Sequence, residues 1–422
     1  MSGPLRVLAY KPSPEPQTIR MERLITCEPL DLEYLATVLE GHEIFLLDGM
    51  VETRDPVVAA RHLGAQVVLV TAFITNIDRV LRMAAELRTL PEPPKLFVGG
   101  PHAEVMPEHF FADGVDGVFF GDQLRGIAEV VDRIAAGQPF DDVPGGAFPG
   151  EEGWTRNPAP PIDPANLPIP RRVLFDDDPD RYYYLYYRRC ASVKTAFGCN
   201  ERCSFCFCTK MHGGGYGPRP MDAVLDELEG IAERNVFILD DNFLSSAGRV
   251  REFCDGLRQR GLADSHEYII YGGAGFVTHH TELLPELRAV GVTGLIVGFE
   301  SIRATADFID RTRIPIPRFY ILTPMPGTDL YQELKDDGRL LTEDHTRYSG
   351  SEAVHRPERI EPEALTEEYW SLYRKVFSWA GILRRTLFNP WFLRRPRLAI
   401  FSFVVNLHYR HYVKKRVPPN IF

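Results

Sequence analysis

The sequence predicts an α/β protein: two successive series of strand–helix units, the first doubly wound and the second a partial barrel, then a helical C-terminal region. Three observations carry the prediction. Short apolar runs of strand length alternate with stretches of 3.6-residue periodicity through residues 1–140. The alternation stops in a proline-rich stretch and resumes near Ala191. From Pro362 onward only helical periodicity remains, with an aromatic-rich apolar face.

In the first series the strand candidates are residues 6–10, 43–47, 66–71, 95–99 and 117–121, with helices clearest at 30–40, 77–87 and 125–136. Five short parallel strands with helices between them form a doubly wound sheet, whose ligands bind beyond the carboxyl ends of the strands. Residues 141–188 are expected as a linker; Pro158, Pro160, Pro161, Pro164, Pro168 and Pro170 favour an extended conformation. The second series, residues 189–348, has strand candidates at 192–196, 236–240, 268–272, 294–298 and 318–322, with helices at 220–234, 247–260 and 281–290. Repeated units of this kind suggest a barrel or partial barrel with its site at the carboxyl ends of the strands. Residues 349–422 are expected as a basic, aromatic helical region, and no repeat of solenoid type is present.

At 422 residues, 44% hydrophobic and 25% charged, the chain reads as a soluble globular protein of two or three domains. It opens Met1-Ser2-Gly3-Pro4 straight into a strand-like run with no signal-peptide pattern, and the expectation is a cytoplasmic protein. Charge is uneven. Residues 369–422 hold 11 Lys or Arg and no Asp or Glu, whereas the preceding part sets 58 acids against 37 bases. An acidic body at −21 thus carries a tail at +11, which suggests a basic patch that meets an anionic partner.

Four of the seven cysteines fall within ten residues, a ligand cluster rather than a disulfide framework. Phe197-Gly198-Cys199-Asn200-Glu201-Arg202-Cys203-Ser204-Phe205-Cys206 contains C-x3-C-x2-C after an apolar stretch and before a glycine-rich loop. Three thiolates so spaced can hold three irons of a 4Fe–4S cluster and leave the fourth open to a small molecule. Zinc is the alternative, but it favours two close pairs of ligands, and no second C-x2-C occurs.

The motif resembles the cluster loop of the radical S-adenosylmethionine (SAM) enzymes. The resemblance implies that Cys199, Cys203 and Cys206 bind the cluster, that SAM chelates the open iron, and that one electron from it yields a 5′-deoxyadenosyl radical. It also implies that Phe205 packs near the adenine, although core packing would serve as well; Cys208 is one thiol more than the motif needs and is expected to be structural, with a catalytic or substrate contact as the alternative. Leu239-Asp240-Asp241-Asn242-Phe243 resembles the D-D-N variant of the segment that receives the SAM amine. Asp240 and Asp241 are therefore candidate SAM contacts, against the alternative of a helix N-cap. Gly294-Leu295-Ile296-Val297-Gly298-Phe299-Glu300-Ser301 is similar to the family's G-x-E-S strand end, which implies SAM contacts at Glu300 and Ser301. After Ser301 about two βα units of the family barrel are missing, so the barrel is expected to be incomplete.

In the first series, Val98-Gly99-Gly100-Pro101-His102-Ala103-Glu104-Val105-Met106-Pro107-Glu108 resembles the cobalamin-binding domain that precedes many radical SAM domains. Glu28-Pro29-Leu30-Asp31-Leu32-Glu33-Tyr34-Leu35-Ala36 and Val70-Thr71-Ala72-Phe73-Ile74-Thr75 add to the likeness. It implies corrin contacts at Thr71, Ala72, Phe73, Gly99, Gly100, His102 and Gly121, the glycines leaving room for the flat ring. No D-x-H-x-x-G ligand motif is present, so His102 is expected to bond a backbone carbonyl and not cobalt. Dinucleotide binding is disfavoured, since no G-x-G-x-x-G follows the first strand.

Taken together, the resemblance implies a Rossmann-like cobalamin-binding domain (1–140), a linker, an incomplete radical SAM barrel and a C-terminal helical region. The implied activity is methylation of an unactivated carbon of a small-molecule or lipid-like substrate through methylcobalamin, with an external one-electron donor of flavodoxin or ferredoxin type. The alternatives are an anaerobic oxidative cyclase using the same cofactors, or a degenerate protein that only binds them. The basic tail suits either peripheral contact with anionic lipid or packing on the acidic body; nucleic acid is not an expected partner.

Overall fold

The structure, a computed structural model, describes residues 3–13, 25–298, 309, 313–392 and 396–417. These form two compact units: the N-terminal strand with Ile25–Val297, and the described residues from Gly298 onward.

The first unit contains two parallel sheets. In one, the strands run in the order Glu43–Asp48, Arg6–Lys11, Val67–Thr71, Lys95–Gly99, Gly117–Phe119. Strand direction is parallel throughout these five, and the order reverses between Arg6–Lys11 and Val67–Thr71, the switch point of a doubly wound sheet. Val67–Thr71 is buried at every position because helices cover both faces, which is why its sequence is a continuous apolar run and not an alternation. Helices Leu30–Val38, Ile77–Leu87 and Gln123–Ala135 fall where periodicity predicts them. Pro56–Leu63 is an additional helix, capped by Asp55, whose carboxylate accepts from the Val57 and Val58 amides, and ended by Gly64 at φ 56°.

Residues 141–188 depart from the expected extended linker. Gly146–Gly150 adds antiparallel to Gly117–Phe119 and turns back as Gly153–Arg156, extending the sheet by two strands. Ala147 and Phe148 supply its buried face, with Phe148 edge-on to Phe119. Two short strands rich in glycine and proline are below what sequence periodicity resolves.

The second sheet has four strands in chain order, Cys190–Val193, Asn235–Ile238, Glu267–Gly273 and Val292–Gly298. Helices Met221–Glu229, Ala247–Gln259 and Leu283–Ala289 contribute to the core beside it. The predicted fifth strand at 318–322 is not a strand. Pro315 and Pro317 remove ladder donors just ahead of it, and tyrosine hydroxyls take over: Tyr373 accepts from the Phe319 amide at 2.9 Å and donates to its carbonyl at 3.1 Å. The barrel is accordingly partial.

The two sheets are joined by a buried ionic string. Arg172 reaches Glu28 at 2.6 Å and Glu227 at 2.8 Å, and Glu227 also meets Arg219 at 2.6 Å. Glu33 accepts from the Val173 and Leu174 amides, and Tyr182 donates to Asp48 at 3.3 Å. The second unit is built on helices Pro362–Val376, Trp379–Arg385 and Pro396–Lys414, packed around Tyr369, Tyr373, Phe377 and Tyr409. Among the described residues no helix is long and apolar enough to cross a membrane.

Candidate functional site

The cysteine loop is closed at its base by a two-residue ladder, Ala196–Phe197 against Gly217–Pro218. Gly198 stands at φ 70°, and a Cβ there would lie 2.0 Å from the Gly215 carbonyl oxygen, so only glycine lets the loop leave the sheet at this point. Cys199, Cys203 and Cys206 are half-buried on this loop and form no disulfide. The Cys206 amide donates to the Cys203 carbonyl at 3.1 Å. The single Cys208 thiol hydrogen has two acceptors in reach, Asp241 Oδ1 at 3.5 Å and Cys206, and donation to Cys206 is the largest of the effects that lower the Cys206 thiol pKa. Phe205 is half-buried between the second and third thiols.

The donor set fits an iron–sulfur cluster in type and number: three soft thiols on one loop, one of them already biased toward thiolate. Among the described residues no three His, Cys, Asp or Glu side chains are gathered closely enough to hold a single metal ion, so the thiols stand as a spaced set.

The strand Asn235–Ile238 delivers Asp240 and Asp241 to this loop, and the two aspartates part company there. Asp240 is 2% exposed and fully engaged: its carboxylate accepts from the Thr195 amide and hydroxyl and the Ala196 amide, holding the connection into the cysteine loop. Burial raises its pKa despite these donors. Asp241 instead keeps a buried Oδ2 without a hydrogen-bond partner, 3.5 Å from the Lys194 ammonium. Lys194 also donates to the Leu239 carbonyl at 3.2 Å and lies over the Phe197 ring. Neither aspartate is a helix N-cap; that place is taken by Ser246. Glu300 and Ser301 lie outside the described residues, just past the end of strand Val292–Gly298.

In the first sheet the loops after the third, fourth and fifth strands interlock. The Ala72 amide donates to the Gly99 carbonyl at 2.7 Å, and the His102 amide to the Ala72 carbonyl at 3.1 Å. A Cβ on Gly100, at φ 96°, would meet the Ala72 nitrogen at 2.7 Å and Thr71 Cγ2 at 2.9 Å; one on Gly99 would meet Gln123 Oε1 at 2.8 Å. The Cβ position of each of these glycines is therefore filled by the protein's own loops, which by itself requires glycine there. Gly121, at φ 75°, similarly faces Ala159 and Pro160 at 3.0 Å. Thr71 and Ala72 are buried, while Phe73 is half-exposed, with the Lys11 ammonium 5.9 Å from its ring centre. His102 Nε2 pairs with His109 Nδ1 at 2.9 Å, and its ring stands edge-on to Phe110.

Sequence reasoning missed the residues that bring the two loops together. The Gly100 amide donates to Gln123 Oε1 at 2.6 Å, Gln123 Nε2 donates to Glu104 Oε2 at 3.2 Å, and Glu104 Oε1 accepts from the His212 amide. A continuous string thus runs from the glycine pair of the first sheet to the cysteine loop of the second. Burial, the largest effect, lifts the Glu104 pKa to about 7, and the Asp241 carboxylate adds to it. His212, in left-handed backbone at φ 55°, has a side chain only 9% exposed, and neither ring nitrogen has a hydrogen-bond partner. Burial and the Lys194 ammonium push its pKa down to about 4. Glu104 lies inside the glycine-loop motif, a local signal, but nothing local pairs it with a residue 108 positions away.

Residues 18–131 match the family model described as B12 binding domain. The chain is 26% identical over 310 residues to the hopanoid C-3 methylase of Methylococcus capsulatus, covering 71% of this chain and 58% of that protein. It is 25% identical over 260 residues to the bacteriochlorophyllide d C-12(1)-methyltransferase of Chlorobaculum tepidum, covering 49% and 57%. In three dimensions it is similar to the radical SAM methyltransferase TsrM of Kitasatospora setae, solved with cobalamin and a 4Fe–4S cluster. That match has a TM-score of 0.55, 23% identity, and covers 72% of this chain and 62% of TsrM. The chain spans about three fifths of the length of these relatives. In fold and module order it resembles the cobalamin-binding radical SAM enzymes.

Proposed function

We propose that this chain is a cobalamin-dependent radical SAM enzyme that methylates an unactivated carbon of a small-molecule or lipid-like substrate. The observation that carries the reading is the Gly100–Gln123–Glu104–His212 string, which ties the glycine loop of a B12-binding module directly to a three-cysteine loop within one compact unit. Methyl transfer by way of a corrinoid needs both loops at one place, since a substrate radical survives only if the methyl donor is already beside it.

When bound, the cluster with SAM supplies a hydrogen-abstracting radical and the corrinoid supplies the methyl group. Cys199, Cys203 and Cys206 would hold the cluster, with Phe205 close to the adenine. Asp241, through its unpartnered Oδ2, would accept a hydrogen bond from the SAM amine, and Glu300 and Ser301 would contact the rest of SAM. Asp240 contributes indirectly, by holding Thr195 and Ala196 and hence the root of the cysteine loop. Thr71, Ala72, Phe73, Gly99, Gly100, His102 and Gly121 would border the corrinoid. The electron comes from a flavodoxin- or ferredoxin-like donor, in a cytoplasmic setting.

The test is anaerobic reconstitution with iron, sulfide and hydroxocobalamin, followed by product analysis with SAM and a low-potential reductant. 5′-Deoxyadenosine together with S-adenosylhomocysteine is the expected result. 5′-Deoxyadenosine alone would replace methylation by oxidation or cyclisation. Neither product would leave a cofactor-binding protein that does not turn over.

A further inference from the structure

The helix Pro396–Lys414 is apolar on both sides. Its buried face carries Ala399, Val405, Tyr409 and Val413 together with two polar residues, Ser402 and Asn406, both fully buried. Its outer face carries Ile400, 60% exposed, and Val404, 56% exposed, one turn apart. Hydrogen bonds fix which face is buried: the buried Arg385 donates to Asn406 Oδ1 at 2.8 Å, and Asn406 donates to the Pro315 carbonyl at 2.8 Å. Rotating the helix to bury the aliphatic pair would strand these groups, so the stripe is held outward. Exposed Arg397 precedes the pair, and exposed His411, Lys414 and Lys415 follow it.

The neighbouring segment adds Trp379 at 53%, Leu387 at 44% and Phe388 at 70% exposure. Five of the twelve large exposed apolar side chains among the described residues therefore fall between positions 379 and 404. Isolated exposed apolar residues are ordinary, but these lie on elements that meet, Arg385 bonding Asn406 and Arg410 lying over the Trp379 ring, and such a concentration marks an interaction surface.

Charge decides what covers it. No Asp or Glu occurs from Tyr369 to Phe422, against 11 Lys or Arg. Glu367 engages Arg374 and Arg416, while Arg397, Lys414 and Lys415 line the exposed side. A second copy of the chain, docked about a two-fold axis, would set this patch on itself and bring like charges together. An anionic bilayer offers acyl boundary to Trp379, Phe388, Ile400 and Val404 and headgroups to the bases, and such a helix lies in the interface without spanning it.

We propose that the C-terminal helical region, through Trp379, Phe388, Ile400 and Val404 and the flanking bases, docks the protein on the surface of an anionic lipid bilayer. This stands apart from the reaction and is testable without it. Flotation of the anaerobically purified full chain is compared on vesicles of phosphatidylcholine and of equimolar phosphatidylcholine and phosphatidylglycerol, with its mass in solution read by light scattering. The expected result is a monomer that floats with the anionic vesicles only and is released by high salt. Ile400→Ser/Val404→Ser should lower partitioning by at least about tenfold, and Phe388→Ser separately in the same direction, with far-UV circular dichroism unchanged. Equal partitioning of native and variant proteins overturns the proposal. So does a native dimer that fails to float and that the variants convert to monomer, which would assign the patch to a second copy.

Discussion

Replacing Glu104 by glutamine should uncover a pH dependence of stability that the native protein conceals. Folded Glu104 keeps its proton up to about pH 7, whereas an unfolded glutamate releases it near 4.5. Between those values the folded state binds more protons, so this group makes stability fall as pH rises. His212 acts in the opposite sense: folded, it refuses a proton down to about 4, while unfolded it takes one near 6.5, so stability rises with pH over that interval. At about 1.4 kcal/mol per pH unit, each group alone contributes a change of roughly 3 kcal/mol. Their intervals overlap between about 4.5 and 6.5, and there the two slopes offset each other. Burial is what keeps the pair in its neutral–neutral state; Lys194 opposes protonation of His212 but favours ionisation of Glu104, and Asp241 does the reverse for each, so the two charges largely offset. In Glu104→Gln only His212 titrates, and stability should climb with pH; in His212→Asn, a residue that tolerates left-handed backbone, it should fall. The misplaced amide hydrogens of the glutamine near Gln123 shift the curve as a whole, by about 1 kcal/mol, without changing its slope. Urea unfolding at a series of pH values reads the variant-minus-native difference directly. A difference that stays flat within about 0.5 kcal/mol from pH 4.5 to 6.5 in both variants would refute the reasoning.

Three further outcomes are expected. Asp240→Ala leaves three buried donors at Thr195 and Ala196 unmet and should cost about 2–4 kcal/mol by thermal or urea unfolding, while Asp241→Asn should leave stability unchanged and weaken SAM binding in calorimetry. Arg172→Ala strands Glu28, whose side chain is 0% exposed, and should destabilise the first unit by about 3–5 kcal/mol, with Arg172→Lys recovering only part. Cys206→Ala should lose most of the iron and acid-labile sulfide bound after anaerobic reconstitution, whereas Cys208→Ala should keep it; equal loss in both would move Cys208 into the ligand set.

Much of the fold was legible in one dimension. The five strands and main helices of the first sheet, the three-cysteine loop and the helical C-terminal region follow from patterns that span a few residues. The stretch at 318–322 was not legible, because a β-rich apolar run carries no sign that Tyr369 and Tyr373, some fifty residues later, will take its hydrogen bonds. The hairpin at 146–156 was missed for the opposite reason: its strands are too short and too rich in glycine and proline to show a period.

At the candidate site the division is sharper. Ligand type and spacing belong to the sequence by itself, since three thiols within eight residues share one loop however the rest of the chain folds. Which aspartate of the pair 240–241 is spent on Thr195 and which keeps a bare oxygen was decided only in three dimensions. So was the reason Gly100 must lack a side chain, namely the Ala72 backbone packed against it. Local pattern reports how a residue relates to its chain neighbours. Occupied space, desolvation and hydrogen-bond supply are set by groups a hundred positions away, as His212 is from Glu104, and these exist only once the chain has closed on itself.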